Sequence, residues 1–348
     1  MIVVNDFFKR RKEAVSNQME LISKSSNGKI ISATRFMNQK PLQQEELKDN
    51  IYVYTPFKYP FMLRKHLKNS NDSIYLFEEE PSIYKRILFN KSKKNLYISI
   101  YRMPSTKECN HLKRFKYLKD IFVELDIHKK KLIECGIDKN IIHITPTPTK
   151  FKRKENKKKY NPKNVEILFA SWNMSEGKPL YDRGLIYLLD MLVKNKNLNL
   201  TVILRDNNTS EFITEIKNRK LDNKVKLINP KTDDELEKIY EKVDFVAFPA
   251  QKRIVKDVPN SLIDGLCKGK PIIITNILNF SETVKKENIG IVTNINKKVI
   301  NLDISCDNYE KMSKNAYKYS QIHSQENYIK TIMEVIDNEN SNFNTMVN

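Results

Sequence analysis

The chain has 348 residues, of which 40% are hydrophobic and 30% are charged. This length and composition allow a sizeable core and predict two domains. They exclude a chain that is disordered as a whole. No run approaches the roughly eighteen apolar residues of a membrane span, and the first residues lack the basic and apolar regions of a signal peptide. The sequence therefore predicts a cytoplasmic protein.

The net charge of +20 is concentrated in the first half of the chain. Residues 1–160 contain 35 Lys and Arg against 17 Asp and Glu, whereas residues 161–348 contain 27 against 25. The abundance of Lys, Asn and Ile is typical of AT-rich coding, but such a bias would act on both halves alike. The asymmetry favours an anionic partner for the N-terminal half: a membrane surface, a phosphorylated acceptor or a nucleic acid.

The metal-ligating residue types show no metal-binding pattern. The four cysteines stand singly, without a C-x-x-C pair, and are expected to be reduced, buried thiols rather than disulfides or zinc ligands. The five histidines lack metal-ligand spacing, and no D-x-D motif for a divalent cation occurs. We therefore expect no metal and no cofactor.

Short apolar runs alternate along the chain with segments of helical periodicity. In the first half, the predicted strands are Ile2–Val4, Ile30–Ala33, Ile51–Tyr54, Ser73–Phe77, Leu96–Tyr101, Ile121–Val123 and Ile141–Ile144. In the second half they are Val165–Ala170, Leu200–Leu204, Lys224–Ile228, Phe245–Phe248 and Pro271–Ile274, with predicted helices at Gly184–Lys194, Ser210–Lys217, Asp233–Lys242 and Pro259–Cys267. Such alternation indicates βαβ units, so we predict an α/β fold of two Rossmann-like, doubly wound domains.

A domain boundary is predicted near residues 145–163. Thr145-Pro146-Thr147-Pro148 ends a strand, and residues 150–159 contain seven basic residues and one acidic residue. Charge repulsion and proline together favour an extended linker. The predicted organisation is an N-terminal domain at 1–149, a basic linker at 150–163, a C-terminal domain at 164–310, and a C-terminal helix with a polar tail at 311–348. That helix is expected to pack back toward the N-terminal domain.

The glycines argue against two large classes of nucleotide-binding enzyme. A dinucleotide fingerprint G-x-G-x-x-G or a phosphate loop G-x-x-x-x-G-K-[ST] needs glycine where the backbone approaches phosphate, and neither pattern occurs in the chain. NAD-dependent enzymes and P-loop NTPases are therefore disfavoured.

Residues 255–273 have the pattern of a helix that faces a phosphate. Asn260 or Ser261 is predicted to cap the helix and leave backbone N–H groups facing the ligand. Asp264, one turn further on, is expected to accept hydrogen bonds from ribose hydroxyls, and Gly269 to end the helix in the left-handed conformation. An ordinary capped helix that leads into a parallel strand is the alternative interpretation.

This segment resembles the nucleotide-sugar motif of the retaining family-4 (group 1) glycosyltransferases, which have the GT-B fold of two Rossmann-like domains facing a cleft. The resemblance covers about residues 120–337 and is strongest at 165–292, whereas residues 1–100 match only in architecture. It implies that Lys178 and Arg183 correspond to the family's cation pair, which holds the diphosphate of a sugar nucleotide and offsets the charge that grows on it. Both are therefore candidate catalytic residues, and solvated loop charges are the alternative.

Two positions depart from the family pattern. The family motif is Glu-x7-Glu; its second position is Asp264, but its first falls on Lys256, which cannot accept hydrogen bonds from sugar hydroxyls. Asp257 is a candidate substitute, and a lysine at 256 also suits an acidic donor sugar. Arg102 stands where the family often has a histidine after an N-terminal strand. The candidate substrate-binding residues are thus Asp264, Asn260, Ser261, Lys256 and Arg102.

A basic stretch of the N-terminal half suggests its partner. Residues 113–119 interleave aromatic and basic side chains, and Lys129, Lys130 and Lys131 follow. This composition fits anionic lipid near a membrane-embedded acceptor, and it also fits a nucleic-acid backbone. The membrane is favoured because the second half resembles a nucleotide-sugar domain.

Together, these patterns predict a hexosyltransferase-like, retaining, metal-independent glycosyltransferase. Its expected reaction moves a sugar from a nucleotide diphosphate sugar to a lipid-linked or polysaccharide acceptor in cell-envelope glycan synthesis. The expected partners are the nucleotide sugar, the acceptor and an anionic membrane surface on the cytoplasmic side, without nucleic acid. The alternatives are a GT-B-fold epimerase or phosphorylase and a non-catalytic nucleic-acid-binding protein.

Overall fold

The computed structural model describes residues 1–5, 14–33, 50–77, 83–170, 179–203, 209–253, 256–294 and 302–345. The chain divides into two compact units. The N-terminal unit is Met1–Pro146 together with Gln325–Asn348, and the C-terminal unit is Thr147–Ser324. None of the helices in the described ranges is long and apolar enough to cross a membrane.

The N-terminal unit is built on a parallel sheet. Within the described residues its seven strands are β1 Ile2–Asn5, β2 Lys29–Ala33, β3 Ile51–Tyr54, β4 Ile74–Phe77, β5 Leu96–Ile100, β6 Leu118–Val123 and β7 Ile142–Ile144. They are ordered β3-β2-β1-β4-β5-β6-β7, with parallel neighbours throughout. The runs are rich in β-branched and aromatic residues and mostly buried, as expected of a sheet covered on both faces.

Helices cover both faces of this sheet. The first five are α1 Ala14–Ser25, α2 Tyr59–Lys68, α3 Ile83–Ser92, α4 Thr106–Leu112 and α5 Asp126–Glu134. Because side chains alternate along a strand, Ile2 and Val4 of β1 join the core beneath α2 to α5, whereas Val3 joins the core beneath α1.

The C-terminal unit has the same type of sheet. Its six strands in the described part of the chain are β8 Val165–Phe169, β9 Leu198–Ile203, β10 Val225–Ile228, β11 Phe245–Phe248, β12 Ile272–Thr275 and β13 Gly290–Thr293. They are ordered β10-β9-β8-β11-β12-β13 and are all parallel. The helices are α6 Pro179–Asp182, α7 Leu185–Lys194, α8 Ser210–Asn218, α9 Asp233–Lys242, α10 Asn260–Cys267, α11 Phe280–Glu287 and α12 Cys306–Tyr319. The predicted α/β class with two Rossmann-like, doubly wound sheets is confirmed.

The end of the chain belongs to both units. Helix α12 buries Tyr309, Met312 and Ala316 within the C-terminal unit, whereas α13 (Gln325–Thr345) is part of the N-terminal unit. On α13, Ile332 and Ile336 lie in the same core as α1. Where one helix was predicted within 311–348, the structure has the end of α12 and then α13, because two separate apolar stripes pack on different units.

The basic segment predicted as a linker at 150–163 is held on the C-terminal unit. Phe151 and Tyr160 are buried there. Lys154 lies 2.7 Å from Glu241, and Lys158 lies 2.8 Å from Asp244. These carboxylates offset the repulsion that favoured a detached linker, and the division between the units falls earlier, after Pro146.

All four cysteines are free. Cys109 and Cys267 are buried, and burial raises the pKa of the Cys267 thiol to about 11. Cys135 is half-buried, and Cys306, the first residue of α12, is exposed. The prediction of buried thiols is therefore wrong for Cys306.

Candidate active site

The candidate site lies at the carboxyl edge of the C-terminal sheet. The strand order reverses between β8 and β11, and in open α/β sheets ligands bind outside the carboxyl ends of the strands at such a point. Helix α7 begins in the connection after β8, and α10 begins after β11. Two helix N-termini, which carry partial positive charge, therefore follow the two central strands.

The start of α7 is fixed against the end of β11. Gly184 is the N-cap of α7 with φ of 84°, and a Cβ there would lie 1.9 Å from the carbonyl oxygen of Pro249. The N–H of Gln251 donates to the carbonyl of Asp182 at 2.8 Å. Arg183, between Asp182 and Gly184, is half-buried at this junction. Lys178, its predicted companion, lies outside the described residues.

Helix α10 begins at Asn260, which is too early for Asn260 or Ser261 to be its N-cap residue. Pro259 is the N-cap, with φ of −58° and ψ of 130°, and no side chain caps the helix. The predicted cap is therefore wrong: the extended conformation of Pro259 puts Asn260 and Ser261 in the first turn. The first N–H groups of a helix have no partner within it, and the Asn260 Oδ1 atom is buried without a hydrogen-bond partner among the described residues.

The end of α10 is as predicted. Gly269 has φ of 64°, the Lys270 N–H donates to the carbonyl of Gly265 at 3.0 Å, and the Gly269 N–H donates to that of Leu266 at 2.9 Å. This pair of bonds is a Schellman motif, which needs a left-handed residue at Gly269. The helix is thus held in register before β12.

Asp264 and Lys256 both contact the threonine–proline segment that starts the C-terminal unit. Asp264 is buried, and its Oδ1 accepts a hydrogen bond from the Thr149 hydroxyl at 2.7 Å. Lys256 is also buried, and its Nζ donates to the Thr147 hydroxyl at 3.2 Å. The two positions of the family motif therefore lie beside one segment. Sequence reasoning missed these threonines, whose only signal is their alternation with proline.

Asp257 has a structural role. It is buried, and its carboxylate accepts hydrogen bonds from the Asn279 side chain at 2.9 Å and from the Asn279 N–H at 3.3 Å. Asn279 is the N-cap of α11. Because both carboxylate oxygens bind Asn279, Asp257 anchors the start of α11, and this does not support it as a substitute for the missing glutamate.

His323 is a buried residue of this region that the sequence did not single out. Its Nδ1 donates to the carbonyl of Thr147 at 2.7 Å, and its Nε2 is buried without a hydrogen-bond partner in the described structure. Burial lowers the pKa of His323 to about 4; the Thr147 hydrogen bond opposes this shift, and the charge of Lys256 adds to it. The imidazole is therefore neutral at pH 7.

The remaining predicted residue, Arg102, lies in the N-terminal unit. It follows β5, and its Nη2 lies 2.5 Å from Glu108 Oε1. Glu108 also completes a capping box with Ser105 at the start of α4. Within the C-terminal unit, the structure brings together Lys256, Asn260, Ser261 and Asp264 around α10, whereas Arg102 belongs to the N-terminal unit. In the described ranges, no group of three or more His, Cys, Asp or Glu is placed to hold a metal ion.

Several solved structures are similar to this chain. HepE of Anabaena in complex with UDP shares 13% identity and a TM-score of 0.72, covering 97% of this chain and 99% of that one. A glycosyltransferase of Rickettsia africae shares 17% identity with a TM-score of 0.66, covering 96% of each chain. WaaG, a glycosyltransferase involved in lipopolysaccharide biosynthesis, shares 12% identity with a TM-score of 0.65, and the match covers 96% of this chain and 98% of WaaG. The fold is that of the GT-B glycosyltransferases.

The family match is carried by the C-terminal unit. Residues 152–319 match the family model described as glycosyl transferases group 1. This confirms the expected resemblance to that family. No curated protein matches the chain.

Proposed function

We propose that the protein transfers a sugar from a nucleotide diphosphate sugar to a lipid-linked or polysaccharide acceptor in cell-envelope glycan synthesis. One observation carries this proposal: the group 1 match at 152–319 contains the starts of α7 and α10 and both positions of the nucleotide-sugar motif. The UDP complex of Anabaena HepE, which has the same fold, supports a nucleoside diphosphate as part of the donor.

The donor is bound by the C-terminal unit in this proposal. The carboxylate of Asp264 accepts hydrogen bonds from the ribose hydroxyls, and the first turn of α10 at Asn260 and Ser261 directs N–H groups at a phosphate. Arg183, together with Lys178, binds the diphosphate. The buried Oδ1 of Asn260, which has no hydrogen-bond partner in the described part of the chain, supports a polar ligand at the start of α10.

The proposed reaction depends on positioning and leaving-group electrostatics. The bond between the anomeric carbon and the diphosphate oxygen breaks, and the acceptor oxygen bonds to that carbon. The diphosphate leaves with the electron pair and takes the acceptor proton on the same face of the sugar. The products are the glycosylated acceptor, with retained configuration, and the nucleoside diphosphate. No protein nucleophile and no metal ion are needed, because cations stabilise the charge that grows on the leaving group.

The charge of Lys256 leads us to propose that the donor sugar is acidic. An ammonium group donates hydrogen bonds and carries positive charge, so it suits a carboxylate on the donor sugar better than the neutral hexose that a glutamate binds. The buried position of Lys256 beside Thr147 supports a specific role rather than a solvated surface charge.

The N-terminal unit is proposed to hold the acceptor, with Arg102 as a contact, on the cytoplasmic face of a membrane. Its support is the excess of basic residues in residues 1–146, which contain 28 Lys and Arg against 16 Asp and Glu. Such an excess attracts an anionic bilayer in which a lipid-linked acceptor is embedded.

Thermal stabilisation by nucleotides tests the donor assignment. UDP, GDP, ADP and CMP are added separately, and a true ligand at a hundred times its Kd adds about 2.7 kcal/mol to the free energy of unfolding. We expect one nucleoside diphosphate to stabilise the protein and CMP to have no effect. Absence of stabilisation by every nucleotide, together with tight and steeply salt-dependent binding of oligonucleotides, would instead support a nucleic-acid-binding protein.

A further inference from the structure

Large apolar side chains are exposed together on one side of the N-terminal unit. Ten such side chains are exposed in the described residues, and five of them belong to the start of α2 and to α3: Phe57, Phe61, Ile83, Tyr84 and Ile87. Phe57 is 76% exposed and Phe61 is 68% exposed. We call these five residues the α2–α3 patch.

The α2–α3 patch is one continuous surface. The Tyr84 hydroxyl donates to the carbonyl of Pro60 at 2.9 Å, which joins the start of α3 to the start of α2. The rings of Phe57 and Phe61 lie 6.2 Å apart between centroids. The opposite sides of the two helices supply Leu63 and Phe89 to the core. Each helix therefore has a buried apolar side and a second, exposed apolar side.

The segments that carry the α2–α3 patch also carry cations and contain no acidic residue. Residues 50–68 and 83–94 contain nine Lys and Arg and no Asp or Glu. Six of these cations are exposed: Lys58, Arg64, Lys65, Lys68, Lys91 and Lys93. Basic residues close to a bilayer are attracted to anionic lipid headgroups, and exposed aromatic and aliphatic side chains enter the boundary between headgroups and acyl chains.

The basic stretch at 113–119 extends this surface but does not supply its apolar part. Phe115 is buried against Phe89, with ring centroids 6.4 Å apart. Asn90 of α3 donates to the carbonyl of Arg114 at 3.0 Å and accepts from the N–H of Lys116 at 2.9 Å. The exposed Arg114 and Lys116 therefore lie beside α3, at the edge of the α2–α3 patch.

We propose that the α2–α3 patch is the surface with which the N-terminal unit lies on an anionic lipid bilayer. Phe57, Phe61 and Ile83 enter the interface, and the exposed cations of the same segments contact lipid phosphates. Charge complementarity favours a bilayer as the partner. Its anionic headgroups attract the cations, and its acyl-chain region accepts the exposed apolar side chains. This inference rests on the proposed function in one respect: the α2–α3 patch would bring the protein to a membrane-embedded acceptor.

Vesicle binding by the full-length protein tests the proposal. Flotation with phosphatidylglycerol–phosphatidylcholine vesicles should recover the wild type, whereas vesicles of phosphatidylcholine alone should recover much less, and binding should fall with added salt. The double variant Phe57→Ser/Phe61→Ser should lower the partition coefficient at least tenfold. The matched control Ile133→Ser/Ile144→Ser, which changes exposed apolar residues elsewhere in the same unit, should bind as the wild type does.

Two results would overturn the proposal. One is unchanged vesicle binding by Phe57→Ser/Phe61→Ser. The other is wild-type protein that ignores anionic vesicles but self-associates through the patch, seen as a dimer that this variant converts to monomer in analytical ultracentrifugation. Nucleotide stabilisation, measured on the same samples, separates the two proposals: retained stabilisation without vesicle binding rejects only the membrane surface, and the converse rejects only the donor assignment.

Discussion

Asp264 and Lys256 carry opposite charges, yet each is hydrogen-bonded to a threonine of one short segment. The Thr149 hydroxyl donates to Asp264, and Lys256 donates to the Thr147 hydroxyl. A buried carboxylate or ammonium needs such partners, because burial without them costs several kcal/mol. A carboxylate has about four acceptor positions, so Asp264 is able to accept ribose hydroxyls while it keeps Thr149.

Asp264→Ala should weaken binding of the stabilising nucleotide about tenfold to a hundredfold, because hydrogen bonds to a charged group contribute roughly 1.5–3 kcal/mol. Isothermal titration calorimetry measures this change. Thr149→Val is the control: it removes a hydroxyl that also bonds to a charged group, so it should cost roughly 1.5–3 kcal/mol of stability, and it should leave the nucleotide affinity near that of the wild type. Equal affinities for wild type and Asp264→Ala would remove Asp264 from the donor site.

Arg183→Ala should lower kcat/KM for sugar transfer by about a hundredfold to a thousandfold, the usual cost of losing one group that stabilises developing negative charge. Its urea midpoint should stay close to that of the wild type. Arg219→Ala is the matched control, because Arg219 pairs with Asp190 and Glu215 at the end of α8. If both variants turn over equally well, Arg183 does not bind the diphosphate.

The sequence located some site residues and missed others for a physical reason. Lys256, Asp264 and Gly269 follow from the local pattern of one helix and its flanks. The contact between Asp264 and Thr149 joins residues 115 positions apart, and that between His323 and Thr147 joins residues 176 apart. Pairings of this kind depend on packing, which single-sequence periodicity does not encode.

At the scale of elements, the predicted strands match the observed ones closely where apolar runs are long. The strand β13, Gly290–Thr293, was not predicted. It is only four residues long and begins at Gly290, where a Cβ would lie 2.1 Å from the carbonyl oxygen of Ile272. The sequence shows a short run after a glycine, whereas the sheet needs the glycine for close approach to β12.

Gly184→Ala should reveal how firmly the start of α7 is fixed. A side chain at φ of 84° costs about 1–2 kcal/mol, and the Cβ would also collide with the Pro249 carbonyl at 1.9 Å. We expect a loss of more than about 2 kcal/mol in the free energy of unfolding. Urea denaturation followed by far-UV circular dichroism measures this loss.

Gly269→Ala is the matched control for the start of α7. Gly269 lies in the same unit with φ of 64°, but its Cβ would be 3.1 Å from the Asn156 Cβ, a much milder approach. It should lose about 1–2 kcal/mol, from backbone strain alone. Equal losses at Gly184 and Gly269 would mean that the contact with Pro249 adds nothing to the position of α7.

At the scale of the whole molecule, the net charge of +20 is divided between the two units differently from its division along the sequence. Within the basic segment, Lys154 and Lys158 form ion pairs with Glu241 and Asp244 of the C-terminal unit. Part of the basic excess of residues 1–160 is therefore offset inside the C-terminal unit. The exposed cations around α2 and α3 remain as a cationic surface of the N-terminal unit.

The stability of the C-terminal unit should fall in acid because of His323. Its pKa is about 4 in the folded protein and about 6.5 when unfolded, so below pH 6.5 the unfolded chain binds the proton more readily. The stability contributed by neutral His323 is fully present above pH 6.5 and is lost as the pH falls toward 4, by up to about 3 kcal/mol.

Urea denaturation at a series of pH values, followed by far-UV circular dichroism, measures this loss. His323→Gln should be less stable at neutral pH but should lose less additional stability between pH 6.5 and 4, because the titrating group is gone. His111→Gln, in the N-terminal unit, controls for removal of a histidine and should keep the wild-type slope. The slope, rather than the absolute stability, decides the test: if His323→Gln and the wild type lose the same free energy across this interval, protonation of His323 is not what destabilises the unit in acid.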